Sequence, residues 1–576
     1  MKHTSWLVLL IIWLSMFGAA QVSRQVFDRL PHLEDEFAYL YQARVFEGGD
    51  IAAETLQPNR AYWQPFTINH DGQRFSKYPP GWSMLLALGT GLNMPWMVNV
   101  WFAGLTVALI YRFGRELYDE TAGAAAALLL AFSPIALLQS GSLMSHTSAL
   151  FFAMLFVYGL WRLERASAGR GRLFWGALAG IALGLLVANR PLASLGVALP
   201  FIAYSVLRLL WLLARDRQTL VPAFRGLFVL GLCAILFGML FPAYNQAVIG
   251  DPTKNLYTLI WSYDRWGFGE GIGRYGGTLR SAGTANGEKI SLITHAGHSW
   301  ERGWEQTERD TRCYFRDLFG WVEPPARFND RFVPTNDCLV PDDQPGYSWI
   351  LLPLAGVFVL GSAWRARPQA GDRLRRAGGL LWGFLREAKW SLLLGALALS
   401  VIFIHIPYWI GAGVYSARYY YEATGALVLL SGAGFSALAR LADGLNLRYG
   451  VYALLVGALL FTSIAYTPQR FEMLNGYGNI TDALYEQVQA RRTSPDVPVM
   501  VIATGDHHWR DMAALMGITD PRAEGDIIAL RDSDQTYFRT LQSQHPEREI
   551  FFILDEQLYH MSELEPHQYD AHATGG

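Results

Sequence analysis

Charge is what this chain of 576 residues has least of: 17% is Asp, Glu, Lys or Arg, against about 25% in soluble globular proteins. With 52% hydrophobic and 14% aromatic residues, a large part of it belongs in lipid. The net charge of −2 and the lack of a basic run give no footing for nucleic acid. Internal repeats and low-complexity segments are missing too. Neither His295 with His298 nor the pair His507-His508 forms the H-E-x-x-H pattern of a zinc helix. Gly271 to Gly276 fits G-x-G-x-x-G, but no strand–turn–helix unit surrounds it, so it reads as a turn-rich loop. Cysteine is scarce at three residues. Cys233 falls in an apolar run. Cys313 and Cys338 share one loop, where they pair if the compartment is oxidising and stay free thiols otherwise.

What the chain has in abundance is apolar runs of spanning length. The first covers Trp6 to Ala20, with Lys2 before it; no small-x-small cleavage site follows, so it reads as an uncleaved anchor. Others cover approximately 95–112, 122–139, 147–163, 173–189, 191–213, 226–249, 347–364, 390–410, 420–438 and 449–466, making about eleven spans. Pro79 to Leu92 is apolar but short and proline-led, which suits a surface or half-inserted helix. Arginine sets the direction. Arg112, Arg115, Arg162, Arg165, Arg170, Arg172, Arg215, Arg217, Arg373, Arg376, Arg440 and Arg448 all fall on one side, and Arg190 and Arg418 are exceptions on the other. The positive-inside rule then puts the N-terminus in the cytoplasm and the C-terminus outside.

Three large pieces fall on the outer face: residues 22–94, residues 250–346, and a tail from 468 to 576. In the tail, Val497 to Ala503, Ile527 to Leu530 and Glu549 to Leu554 look like buried strands, alternating with helical stretches. The expected architecture is an all-α membrane domain over 1–467, with a small α/β domain over 468–576.

The chemistry-bearing residues crowd that outer face. In Glu34-Asp35-Glu36-Phe37-Ala38-Tyr39-Leu40-Tyr41, apolar residues recur at helical spacing, which predicts an amphipathic helix along the membrane surface. Its three first-turn acids are either helix capping or a general base held near the bilayer. Lys77-Tyr78-Pro79-Pro80-Gly81 offers a cation before a stiff turn, suited to a phosphate or to snorkelling. Ser145-His146 can orient an acceptor or be merely polar. Arg190 in Asn189-Arg190-Pro191, and Arg418 beside Tyr419-Tyr420-Tyr421, suggest an anionic partner; the tyrosines suit sugar stacking or the membrane belt. A transporter would carry ionisable residues near mid-depth, and these spans carry almost none.

An uncharged span, an acidic Asp-Glu helix outside, and Lys-x-Pro-Pro before the second span resemble the GT-C class of membrane glycosyltransferases. The nearest likeness is to the bacterial aminoarabinose transferase and protein O-mannosyltransferase group, over roughly residues 1–250, with the remaining spans alike in layout. The stretch from Gly250-Asp251-Pro252 through Tyr263-Asp264-Arg265-Trp266 is similar to uncharacterised bacterial members.

The resemblance implies a sugar donor on a polyprenyl phosphate and an envelope acceptor that is lipid, glycan or protein, in a bacterial inner membrane. It implies Asp35 as base with Glu36 beside it, and Lys77, joined by Arg190 and Arg418, on the donor phosphate. Glu34, Tyr39, Tyr78, His146, Asp264, Arg265 and Tyr420 complete the expected substrate site. No cofactor is required by this reading, and no divalent metal is indicated. Two departures stand out: Tyr78 separates Lys77 from the prolines, and His146 stands where relatives commonly carry an acid. A lipid-pyrophosphate-dependent polysaccharide ligase or polymerase and a lipid or glycan transporter are the alternatives.

Overall fold

The computed structural model describes residues 2–167, 169–273, 280–285, 288–292, 297–321, 373–411, 413–505 and 509–573. Helices dominate it, because a chain with so few charges leaves its backbone polar groups to pair within each segment. Seven helical stretches are long and apolar enough to cross a membrane: Trp6–Gln25, Met97–Leu117, Arg170–Asn189, Pro191–Arg215, Arg217–Ile249, Arg418–Asp443 and Arg448–Glu472. An eighth expected span, over 122–139, is two helices, Glu120–Ala131 and Pro134–Gly141, that meet at 57°. Pro134 causes the bend: it has no N–H to donate, and it pushes Ser133 to an extended backbone (φ −66°, ψ 123°).

Two more expected spans are helical, His146–Arg165 and Ala388–Phe403, without meeting the same standard of length and apolarity. The expected span over 347–364 lies outside the described residues. The eleven spans expected from hydropathy thus become seven, or eight with the bent pair, among the described residues.

The acidic helix runs Glu34–Glu47, and protein covers it on both faces, where the sequence predicts one apolar face. Every residue from Glu36 to Ala43, and Val45, is buried. Its amphipathic pattern was too short to reveal that both faces are covered. On one side it packs against the proline-led helix Pro80–Thr90. On the other, Phe37 enters the core of the tail with Val499, Val501 and Phe551, and its ring meets Trp509 edge-on at 5.4 Å. Arg44 donates to the Thr519 carbonyl at 2.8 Å.

The tail holds a four-stranded sheet. Val499–Thr504 pairs in parallel with Ile527–Asp532 and Glu549–Leu554, and Gln557–His560 closes the edge antiparallel to the latter. The central strand is buried at all six positions, as a parallel strand covered on both faces must be. Ala61 and Tyr62, in the loop after the acidic helix, cover the face opposite Phe37. The loop therefore wraps the sheet, and the sheet in turn braces the acidic helix.

The helix ends needed for a site meet in one place. Gly81 lies so close to the Ala188 backbone that an added Cβ would come within 2.7 Å of its carbonyl. That contact brings the Lys77 turn against the Asn189-Arg190 turn.

Candidate active site

The lysine turn is set by the acidic helix. Gln42, fully buried, accepts from the Ser76 backbone N–H at 3.0 Å and from the Tyr244 hydroxyl at 3.0 Å, and donates to the Ile51 carbonyl at 2.8 Å. Lys77 then projects into a box of rings: its ammonium is 3.4 Å from the centroid of Phe66, 4.8 Å from Trp261, 5.0 Å from Tyr257 and 5.1 Å from Tyr78. Asp264 is its nearest carboxylate, at 4.0 Å. Burial pulls the Lys77 pKa down to about 8, and the charges of Asp35 and Asp264 resist that fall. Burial likewise raises Asp264, against the pull of Lys77. Trp409 donates to Asp264 at 3.1 Å.

Asp35 and Glu36, two of the three first-turn acids, part company. Asp35 Oδ2 accepts from Arg418 Nη2 at 3.2 Å and faces a cavity of about 970 Å³. Glu36 turns the other way and does not line that cavity. Its carboxylate accepts from the backbone N–H groups of His32 (2.8 Å), Leu33 (3.0 Å) and Leu143 (2.7 Å), and from the Tyr415 hydroxyl (3.2 Å). Glu36 is a helix-start anchor that ties the acidic helix to the Leu143 turn, which corrects its expected place beside the base. Neighbouring residues on a helix differ by about 100° in direction, and that is enough to separate the pair.

Arg190 also lines the cavity, with Glu422 at 2.7 Å behind it. Tyr39 lines it and meets Ser145 Oγ at 3.3 Å; burial raises the phenol's pKa. Glu34, Tyr78, His146, Asp264 and Arg265 are lining residues as well. Tyr420 is not. It turns towards Tyr314, and Tyr419 takes its place on the cavity wall, between Arg190 at 5.8 Å and Arg418 at 5.3 Å. A tight 3-10 turn over Arg418–Ala423 decides which tyrosine faces in, and the sequence gives no period from which to read it.

Several wall residues escaped the sequence reading. Phe66 comes from the first loop, and Tyr257 and Trp261 lie one helical turn apart in a distant short helix, Tyr257–Ile260, and its cap. Arg510 and Tyr477 come from the tail; Arg510 lies 3.6 Å from Glu34. Cys313 is a disulfide cysteine in the helix Trp300–Phe319 and Cys233 is free, while Cys338 lies outside the described residues, as do His295, His507 and His508. No group of three His, Cys, Asp or Glu side chains able to hold a metal occurs among the described residues.

Three carboxylates, six Lys or Arg side chains and an aromatic wall thus face one large cavity at the ends of apolar helices. Part of the chain matches a family model. Residues 73–246 match the dolichyl-phosphate-mannose-protein mannosyltransferase family. The fold as a whole is similar to that of ArnT from Cupriavidus metallidurans bound to undecaprenyl phosphate, at 12% identity and TM-score 0.51, over 96% of this chain and 94% of that one. Its apo form matches at 13% identity and TM-score 0.50, over 94% and 89%. No curated protein sequence matches the chain. The matched segment contains Lys77, His146 and Arg190 and ends before Asp264 and Arg418. The family match thus covers one segment of the chain, and the likeness to ArnT is one of fold.

Proposed function

We propose that the chain transfers a sugar from a polyprenyl-phosphate donor to an envelope acceptor, at the outer face of a bacterial inner membrane. The observation that carries this reading is the pairing of Asp35 with Arg418, and of Lys77 with Asp264, on the wall of one cavity. A lipid phosphate at a membrane boundary needs cations, since an unpaired charge in low dielectric is costly. Lys77 and Arg418 are both buried and both aimed at the cavity, and Arg190 stands beside them. That ArnT was solved with undecaprenyl phosphate supports the same class of carrier here.

The chemistry is a direct displacement. Asp35 takes the proton of the acceptor hydroxyl as its oxygen bonds to the sugar carbon, and the carbon–phosphate oxygen bond breaks. The electron pair leaves on the lipid phosphate, whose charge Lys77 and the arginines balance. When donor enters, its phosphate competes with Asp35 for Arg418, which frees the carboxylate to act as base. Domains over 1–467 and 468–576, an outward C-terminus and a Cys313–Cys338 bridge belong to the same proposal.

The test is turnover in detergent, without any ion gradient, of undecaprenyl-phosphate-linked sugars extracted from envelope membranes. Release of undecaprenyl phosphate that depends on Asp35 is expected. Sugar-lipid that stays intact, while intact membranes lose it across the bilayer, would point to transport instead.

A further inference from the structure

Two buried polar side chains face the cavity without a partner for part of their bonding capacity. His146 is 0% exposed and lines the cavity, and neither ring nitrogen has a hydrogen-bond partner. Asn189 is 3% exposed and lines it too. Its Nδ2 donates to Ser148 Oγ at 2.7 Å, which leaves Oδ1 without a donor. A buried polar atom without a partner is costly, so such atoms are kept where something else satisfies them.

The two sit in one corner. His146 opens the helix His146–Arg165, Asn189 closes the helix Arg170–Asn189, and the Asn189–Ser148 bond joins the two ends. The imidazole lies nearly parallel to the Tyr419 ring, at 6.4 Å and 16°. His405 also stacks on the Tyr419 ring, at 5.5 Å and 10°, with Nδ1 2.7 Å from the Val401 carbonyl. Arg190, next in sequence to Asn189, lines the same wall beside Tyr419.

The chemistry of the corner selects its ligand. A neutral imidazole supplies one donor and one acceptor, and the amide oxygen supplies an acceptor. A hydroxyl is a donor and an acceptor in one group, so it can accept from the ring and donate to Asn189 Oδ1. A phosphate oxygen at neutral pH only accepts, so Asn189 Oδ1 would repel it. We infer that His146 and Asn189 form a subsite that reads ring hydroxyls of the donor sugar, next to the cations that take its phosphate. This deepens the proposed function and rests on it: the three cations and Asp35 act on phosphate and acceptor, while this pair decides which sugar fits. A site built to bond a hydroxyl discriminates sharply against a sugar lacking it, because its own polar atoms are then left unpaired.

The test compares two lipids on the intact protein in detergent: bare undecaprenyl phosphate and hexosyl-phosphoundecaprenol (mannosyl and glucosyl forms). His146→Phe keeps the flat ring against Tyr419 and removes both nitrogens; Asn189→Ala removes the amide. Each is expected to weaken the hexosyl lipid that wild type binds best by about tenfold or more, and to leave bare undecaprenyl phosphate within about twofold. His146→Gln, which retains a donor and an acceptor, should recover most of the loss and guards against a merely unfolded variant. Equal losses on both lipids, or unchanged affinity for the hexosyl lipid, overturns the subsite. A wild-type protein that binds neither lipid overturns the proposed function itself, and the subsite with it.

Discussion

Two ion pairs in this protein are equally buried and differently built. Arg470 and Asp317, with side chains 3% and 2% exposed, are closed on each other: Arg470 Nε lies 3.1 Å from both carboxylate oxygens, and the Tyr466 hydroxyl adds a bond of 2.6 Å. Lys77 and Asp264, 2% and 1% exposed, stay 4.0 Å apart. One Asp264 oxygen has no hydrogen-bond partner, and four rings surround the ammonium in place of acceptors. Burial is therefore common to both, and direct contact between the two charges separates them. The first pair bolts the helix Trp300–Phe319 to the C-terminal end of the last long apolar stretch, Arg448–Glu472. The second keeps capacity in reserve, and it does so on the wall of the cavity.

That contrast can be broken first at Asp35, the cavity carboxylate held by Arg418. Asp35→Asn should lower the transfer rate by about 10²–10⁴-fold, the contribution of a general base, with the melting temperature near wild type. A rate within a few-fold of wild type would take the base role from Asp35. Asp317→Asn should do the reverse. Leaving Arg470 buried and uncompensated costs about 3–5 kcal/mol, so thermal or denaturant unfolding should shift clearly while transfer per folded molecule holds. If Asp317→Asn instead spared stability and lost activity, the division between the two pairs would fall.

The pH dependence sharpens the same division. The Lys77 pKa, lowered to about 8 from an ordinary 10.5, means the buried ammonium is present below pH 8 and lost above it. Donor affinity should be flat up to that point and then fall by up to about tenfold per pH unit. Stability moves the other way. Below pH 8 the folded state bears a buried charge that the unfolded chain carries freely in water, and this cost is relieved as pH rises from 8 towards 10.5. Affinity and stability curves that ran parallel through this window would count against Lys77 as the group responsible. The smallest effect is expected at Arg510, which reaches the cavity from the tail and pairs with Glu34 while partly exposed. Arg510→Ala should change transfer by a few-fold at most, since such a pair is worth about 0–1 kcal/mol. A loss of activity as large as that of Asp35→Asn would make the tail part of the reaction centre.

Much of the cavity wall was legible before any coordinates. Lys77, Arg190 and Arg418 stood out because isolated cations are rare in this chain, Asp35 through the acidic helix, His146 as a lone histidine at the end of a span, and Asp264 only through the family resemblance. The three tail strands were legible as short apolar runs, and the structure adds a fourth, Gln557–His560, too short and mixed to show a period. What stayed hidden has a shared cause. The aromatic box around Lys77 joins Phe66 to Tyr257 and Trp261, a pair one helical turn apart that only the tertiary fold brings to the lysine turn. Glu36 and Tyr420 each lie one residue from a cavity-facing neighbour, and backbone direction, not residue type, decides between them. The acidic helix looked amphipathic because its sequence says nothing of the sheet, some 460 residues later, that covers its second face.

The most direct measurement is titration of undecaprenyl phosphate into the purified protein and its Lys77→Met variant at pH 7, with Asp317→Asn carried alongside. A lysine kept buried for a lipid phosphate should cost roughly 10- to 100-fold in affinity when its charge is removed, the worth of a charge-assisted contact, and Asp317→Asn should leave the affinity of the folded fraction unchanged. Equal affinity in wild type and Lys77→Met would contradict the account.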